Sequence, residues 1–254
     1  MERMKVALCG AAGRMGRTLI RMLVNEPGLE LSLAVEAPHT PLEGRDAGEI
    51  AGVGRIGLPI RGAEKLEELL AEVKPDVLVD FTVPQACVEN VKKACARGVD
   101  VVVGTTGLTT QQAREIEEAV RKAGVRAVVS PNMSLGVNLL FNLLERTCAR
   151  LKDYDVEIVE AHHATKRDAP SGTALKMAGI IEQIAGKKPK IHSIRAGEIV
   201  GDHTVIFAGP GERLEITHRA QGREAFASGV IKVLKLLRER GKPGEVLSTE
   251  EIFS

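Results

Sequence analysis

Strand-like and helix-like stretches alternate over roughly the first 130 residues, and this limits the folds open to the chain more than any other feature. Residues 5–9 (KVALC) read as a short buried strand. Residues 14–24 show helical spacing, with Met15, Leu19, Met22 and Leu23 on one side, and residues 29–35 (LELSLAV) alternate as a strand does. Strands at 77–81, 99–103 and 126–129 each precede a helix, near 85–97, 110–123 and 137–150, and 64–72 is also helical in pattern. Such repeats need right-handed crossovers that place helices on both faces of a parallel sheet. The Gly- and Pro-rich stretch 37–59 reads as a long loop, a kind of segment that is uncommon unless functional.

The pattern changes after Leu151. A strand at 156–162 and a helix at 172–185 are followed by clustered strands at 191–195, 204–208 and 214–218, then by an amphipathic helix at 225–239 that Lys242-Pro243-Gly244 ends. Clustered strands between Gly, Pro and Asp predict an α+β domain with a mixed or antiparallel sheet. Two domains are expected, with the first boundary near Pro131, where an open α/β sheet is complete.

Between the first strand and the first helix stands Gly10-Ala11-Ala12-Gly13-Arg14-Met15-Gly16. A pyrophosphate requires small residues for close backbone approach, and it gains from the N–H groups and positive dipole end of the following helix. Arg14 adds a charge for phosphate or adenine. Glu36 ends the second strand, 20 residues after Gly16, where a carboxylate accepts hydrogen bonds from ribose hydroxyls and repels a 2′-phosphate. No Arg or Lys follows; Ala37 and Pro38 do. NADH is therefore the preferred cofactor, with NADPH left open as a second. Asp80-Phe81-Thr82 and Gly104-Thr105-Thr106-Gly107 close later strands, at the end of the sheet where such ligands bind.

The segment EAHHATKRDAPSGTA at 160–174 places His162, His163, Lys166 and Arg167 within six residues, ahead of a helix that Ser171 or Thr173 could cap. Imidazoles, a point charge and oriented N–H donors together suit a dianionic small molecule. Neighbouring histidines on a strand face opposite ways and lack zinc-ligand spacing, so no metal is expected. His39, His192, His203 and His218 have no such company and read as surface or sheet positions.

Basic and acidic residues number 35 and 34, so no overall field draws the chain to nucleic acid or an anionic membrane. No Trp and one Tyr leave little for base stacking, and no apolar run is long enough to span a bilayer. The opening MERMKV runs straight into a strand without a leader-like stretch. Cys9, Cys87, Cys95 and Cys148 form no CxxC pair and read as reduced, buried or half-buried thiols, with Cys87 opening a helix. A cytoplasmic location is expected.

GAAGRMG at 10–16, DFT at 80–82, GTTG at 104–107, PNMSLGVN at 131–138 and EAHHATKRDAPSGTA at 160–174 resemble the signatures of the dihydrodipicolinate reductase family, as does the stretch 201–218. The resemblance covers nearly the whole chain, and its His-rich element is the most specific part. It implies an α/β, Rossmann-like dinucleotide-binding domain over 1–131 plus 229–254, and an α+β substrate-binding and oligomerisation domain with a mixed sheet over 132–228. It implies NAD(P)H-dependent reduction of 4-hydroxy-tetrahydrodipicolinate to tetrahydrodipicolinate, on the route to diaminopimelate and lysine, by a homotetramer assembled through the second domain's sheet. His162 and Lys166 would be catalytic, without a decision as to which gives the proton. His163, Gly172 and Thr173 would bind the dicarboxylate. Gly10, Ala11, Ala12, Gly13, Arg14, Met15, Glu36, Gly104, Thr105, Thr106, Ser130, Pro131, Asn132 and Met133 would line the cofactor site. Many relatives carry Arg where this chain has Ala37, and the segment between 185 and 201 is shorter than in some of them. The competing readings are another NAD(P)-dependent dehydrogenase of a small amino or carboxylic acid, and a nucleotide-sensing or assembly protein without turnover.

Overall fold

The computed structural model describes residues 3–254; Met1 and Glu2, the start of the leader-free N-terminal reading, lie outside the described residues. One compact unit runs to Met133 and resumes over Phe226–Ser254, and the other is Ser134–Ala225.

In the first unit the strands are β1 (Met4–Cys9), β2 (Leu29–Glu36), β3 (Ile60–Gly62), β4 (Val77–Asp80), β5 (Asp100–Val103), β6 (Ala127–Val129) and β11 (Val246–Leu247). They form one sheet in the order β11-β6-β5-β4-β1-β2-β3, and every pairing is parallel. Its helices are α1 (Arg14–Leu23), α2 (Ala47–Ala51), α3 (Leu66–Val73), α4 (Pro84–Ala96), α5 (Thr110–Ala123), α8 (Glu224–Arg240) and α9 (Thr249–Phe253). A parallel sheet must be covered on both faces, and alternate strand residues enter two separate cores. Val6, Leu8, Val77 and Val79 pack with Leu19 and Ile20 of α1 and with Val230, Val233 and Leu234 of α8. Ala7, Cys9, Leu78, Val101 and Val103 pack with Leu70 of α3, Val91 of α4 and Ile116 of α5.

The second unit holds β7 (Asp155–His162), β8 (Lys190–Arg195), β9 (Gly201–Gly209) and β10 (Glu212–Ala220), with α6 (Leu135–Arg150) and α7 (Gly172–Ala185). Sheet order is β10-β9-β7-β8: β7 runs parallel to β8 and antiparallel to β9, which pairs antiparallel with β10. Leu140, Phe141 and Leu144 of α6 and Met177 and Ile181 of α7 cover one face of this sheet, over Val156, Ile158, Val205 and Phe207. The architecture is thus a Rossmann-like parallel unit and a smaller α+β unit with a mixed sheet, as the strand–helix alternation and its loss after Leu151 predict.

Several local expectations need correction. The stretch 37–59 is mostly loop and turns, as expected, but it contains one short helix, α2. Asp46 caps α2 and gathers the segment around itself, its Oδ1 accepting from the N–H groups of Gly48 (2.9 Å) and Glu49 (3.1 Å) and its Oδ2 from Gly57 (2.7 Å). Burial alone would raise the Asp46 pKa, but these donors together lower it. The sequence reading contained neither β3 nor β11 nor α9; three-residue, two-residue and five-residue elements carry too little periodicity to register. All four cysteines are free and buried, Cys87 in the first turn of α4 behind Pro84. Burial pushes the Cys95 thiol up to about 11 and raises the other three as well, which leaves them unreactive.

Candidate functional site

In the parallel sheet the chain turns outward from β1 to β2 and β3, then crosses back to β4 on the other side. Open parallel sheets bind ligands at this switch, beyond the carboxyl ends of the strands. The glycine-rich turn leaves β1 there. Gly10 has φ +79°, and a Cβ on it would lie 2.5 Å from the Phe81 carbonyl oxygen at the end of β4. A Cβ on Gly16 would lie 2.1 Å from the Gly10 carbonyl, so only glycine lets α1 start against the turn. Gly13 is the N-cap of α1 and makes no side-chain cap, so the helix presents backbone donors at this end. Glu36, the last residue of β2, is joined to the same turn: its Oε2 accepts from the Ala12 N–H (2.8 Å) and its Oε1 from the Ala37 N–H (3.0 Å).

The other cofactor candidates fall into two groups. Gly13, Arg14, Thr106 and Pro131 are exposed, and Ala12, Met15, Glu36 and Asn132 are half-buried. Ala11, Gly104, Thr105, Ser130 and Met133 are buried. The Thr105 hydroxyl donates to Asp80 Oδ1 (2.7 Å), and the fully buried Asp80 also accepts from the Thr82 hydroxyl (2.8 Å) and from Asn90 Nδ2 (2.9 Å). Ser130 Oγ lies 2.8 Å from Thr249 Oγ1 at the start of α9. Asp80 and Thr249, which join strand ends and tail, carried no sequence signal as framework residues.

In the second unit the alternation of β7 puts Val156, Ile158, Glu160 and His162 on the helix-covered face. The apolar pair lies toward one end and the polar pair toward the other. Register brings Arg195 of β8 beside His162, His203 of β9 beside Glu160, and His218 of β10 beside His203. Glu160 is fully buried. Its Oε2 lies 2.5 Å from His162 Nδ1 and 2.8 Å from an Arg195 terminal nitrogen, and its Oε1 accepts from the other Arg195 nitrogen (2.7 Å) and from the Ser171 N–H (3.2 Å). The His203 ring meets the His162 ring edge-on at 5.2 Å, and its Nε2 lies 3.1 Å from Ser171 Oγ. His203 and His218 read as surface or sheet positions; both are in strands, but His203 belongs to this cluster, and only the strand register shows it. Glu160 and Arg195 were not singled out either, although the spacing of Glu160 and His162, two apart on a strand, pointed to a shared face.

Ser171 caps α7, its Oγ accepting from the Ala174 N–H (3.2 Å). Gly172, the first helical residue, is exposed with nothing near where a Cβ would stand, and Thr173 is half-buried beside it. The loop between β7 and α7 carries His163, whose Nδ1 lies 2.7 Å from Thr165 Oγ1, and Lys166, whose Nζ lies 2.8 Å from Asp168 Oδ2. Burial opposes ionisation of Glu160, but the hydrogen bonds from Arg195, Ser193 and His162 outweigh it and hold its carboxyl at about 2. Burial lowers the His162 pKa, partly offset by Glu160, and burial with the neighbouring His162 brings His203 down to about 4. At neutral pH Glu160 is ionised and His203 neutral. An ionised carboxylate accepts from Nδ1–H of His162, which leaves Nε2 as the position where the ring gains or loses its exchangeable proton. The cluster therefore combines an imidazole oriented by a carboxylate, an ammonium paired with Asp168 and a helix end of the kind that binds carboxylates.

Residues 4–133 match the family model described as dihydrodipicolinate reductase, N-terminus, and residues 136–253 match dihydrodipicolinate reductase, C-terminus. The 4-hydroxy-tetrahydrodipicolinate reductase of Methanocaldococcus jannaschii is 47% identical, with 93% of each chain covered. That of Methanobrevibacter smithii is 48% identical, with 98% of each covered. Among solved structures, the dipicolinate-bound dihydrodipicolinate reductase from Paenisporosarcina sp. TG-14 superposes with a TM-score of 0.79 at 26% identity, covering 97% of both chains. With both halves matched and relatives this similar along almost their full length, the chain belongs to the dihydrodipicolinate reductase family.

Proposed function

We propose that the chain is a 4-hydroxy-tetrahydrodipicolinate reductase, which consumes a reduced nicotinamide dinucleotide and a proton and yields tetrahydrodipicolinate, the oxidised dinucleotide and water. Its family supports the reaction. The single observation that carries the chemistry is the buried Glu160–His162 pair at the polar end of the second sheet, beside the helix end capped by Ser171.

The glycine cradle fits a dinucleotide, because Cβ atoms at Gly10 and Gly16 would occupy the space of neighbouring carbonyls. The bound cofactor supplies a hydride. The start of α1, from Gly13 to Met15, holds the pyrophosphate, Glu36 the adenosine ribose, and Gly104, Thr106, Pro131 and Asn132 the nicotinamide side. Ala11, Thr105, Ser130 and Met133 contribute backbone only, since their side chains are packed or hydrogen-bonded within the unit. NADH is the preferred cofactor, because the Glu36 carboxylate repels a 2′-phosphate and Ala37 offers no compensating charge.

The substrate is a ring dicarboxylate, the ligand class of the dipicolinate held by the Paenisporosarcina relative. Gly172 and Thr173 N–H groups and His163 hold its carboxylates. Lys166 exchanges Asp168 for the substrate, and His162 and Lys166 stabilise and neutralise the negative charge that develops as the hydride arrives. The chain acts in the cytoplasm as a homotetramer through the second sheet; buried reduced thiols accord with the first point, and light scattering of the eluted protein tests the second.

Freshly generated 4-hydroxy-tetrahydrodipicolinate should cause loss of NADH absorbance. Absence of turnover with both NADH and NADPH, while either dinucleotide binds, would leave a nucleotide-sensing protein as the better reading.

A further inference from the structure

Glu160 has no exposure, so each of its acceptor positions must be met inside the protein. The partners are not scattered. They include the imidazole of His162 (2.5 Å), the N–H of Ser171 at the cap of α7 (3.2 Å) and both terminal nitrogens of Arg195 (2.7 and 2.8 Å), with the side chain of Ser193 on β8 also bonding to the carboxyl. Arg195 in turn donates to the carbonyl of Asp168 (2.6 Å), in the loop that carries Lys166. One bidentate ion pair thus touches the proton carrier, the lysine loop and the helix end at once. Stability alone explains it poorly. A buried ion pair loses the hydration of two charges and often stabilises no more than apolar residues of the same volume.

We propose that the Glu160–Arg195 pair is a positioning device for the second unit's chemistry: it fixes the ring of His162 with Nδ1–H toward Glu160, leaving Nε2 as the atom that takes up and gives back the exchangeable proton, and holds the Lys166 loop and the α7 cap in register with it. Neither residue touches substrate. Glu160 acts through His162 and Ser171, and Arg195 acts through Glu160 and the Asp168 carbonyl. Gly201 of β9 lies beside the His162 ring, and a Cβ there would stand 3.1 Å from Nε2, close enough to press on the ring's present position. The charged and titratable groups facing His162 are Glu160 on its own strand, Arg195 on β8, His203 on β9 and Lys166 in the following loop, with His218 on β10 behind His203. Among them Glu160 favours the imidazolium, while Lys166 and Arg195 oppose it.

This inference rests on the reductase reading, so its test includes readouts that need no turnover. Protein with 15N-labelled histidine is titrated in its wild-type, Glu160→Gln and Arg195→Lys forms, and kcat, KM for the dicarboxylate and Kd for NADH are measured for each. In wild type the neutral His162 ring should be protonated at Nδ1. In Glu160→Gln the ring should become a mixture of tautomers, its pKa should fall, and kcat should drop by about a hundredfold, with Kd for NADH changed less than twofold. Arg195→Lys keeps the charge but loses the fork. It should keep the wild-type tautomer while KM rises several-fold and kcat falls.

Wild-type kcat in Glu160→Gln overturns the proposal. So does lost activity with an unaltered His162 tautomer and pKa, which would mean a merely structural role. Should Glu160→Gln fail to fold, Arg195→Lys decides: unchanged kcat and KM overturn the proposal, and the split described supports it. A wild-type enzyme that shows the Nδ1–H tautomer but no turnover counts against the reaction assigned, not against the geometry.

Discussion

The two sheets handle polarity in opposite ways. In the seven-stranded sheet β4 and β5 are buried along their whole length, and the polar groups sit where strands end: Asp80 at the last position of β4, Gly10 just past β1, Glu36 closing β2. In the four-stranded sheet a row of polar groups lies within the covered face, from Glu160 and His162 across to Arg195, His203 and His218. The reason is covering. A sheet buried on both faces has no place for a charge except its rim, and what it offers a ligand there is backbone made accessible by missing side chains. A sheet buried on one face can carry ionised residues under its helices, provided each is matched, and what it offers is side-chain chemistry. On the proposed function, the first unit holds the dinucleotide and the second supplies the reacting side chains.

The largest expected effect follows from that division. His162→Ala and Lys166→Ala should each reduce kcat by about 10²–10⁴, the usual contribution of a positioned acid or base, with Kd for NADH nearly unchanged. Normal turnover in both variants would break the comparison. Next, Glu36→Ala should weaken NADH about tenfold or more, the worth of charge-assisted hydrogen bonds, and narrow the gap to NADPH. Unchanged Kd values for both dinucleotides would remove the ribose role. Glu36→Ala should leave the 15N shifts of His162 in place, which separates holding from reacting.

The contrast was unevenly legible. The glycine turn was readable because its requirement is local: seven consecutive residues between a strand and a helix state the whole geometry. The His-rich segment was readable for the same reason, including the Ser171 cap. Arg195 and His203 were not, because they reach Glu160 only through the register of β8 and β9 on β7, and a sequence carries no direct statement of register. The Asp46-centred fold of residues 37–59 had its signal, a capping Asp with Glu49 three positions on, but the five-residue helix it starts was too short to stand out among glycines and prolines.

Acid should sharpen the comparison further. His203, with a folded pKa of about 4 and an ordinary value of 6.5, has its affinity for protons lowered by folding. Below pH 6.5 the unfolded chain binds a proton that the folded one refuses, so stability is lost between 6.5 and about 4. His162 shifts the same way. Glu160 adds a later loss, since its contribution is intact above 4.5 and disappears as pH falls toward about 2. Protection factors of the amides of β7 and β9, taken relative to the intrinsic exchange rate at each pH, should therefore fall from pH 6.5 downward, ahead of those of β1 and β4. An equal loss of protection in both sheets would contradict the assignment. The smallest change is Gly201→Ala: crowding His162 Nε2 should lower kcat several-fold and leave both NADH affinity and the exchange rates of β1 unaltered.

The route of the chain through the first unit bears on how it comes into being. Val230, Val233, Leu234 and Leu237 of α8 are entirely inaccessible to solvent and help to fill one of that unit's two cores, each worth about 1.5–3 kcal/mol on burial. They are translated after all of the residues from Ser134 to Ala225. On the ribosome the later-synthesised unit emerges as one uninterrupted stretch, ready to close, while the earlier one still waits for its missing helix. Vectorial synthesis usually lets the amino-terminal part mature first; here the nascent nucleotide fold is the last to be finished, and a stall near residue 225 would leave it with an open apolar face for chaperones to guard.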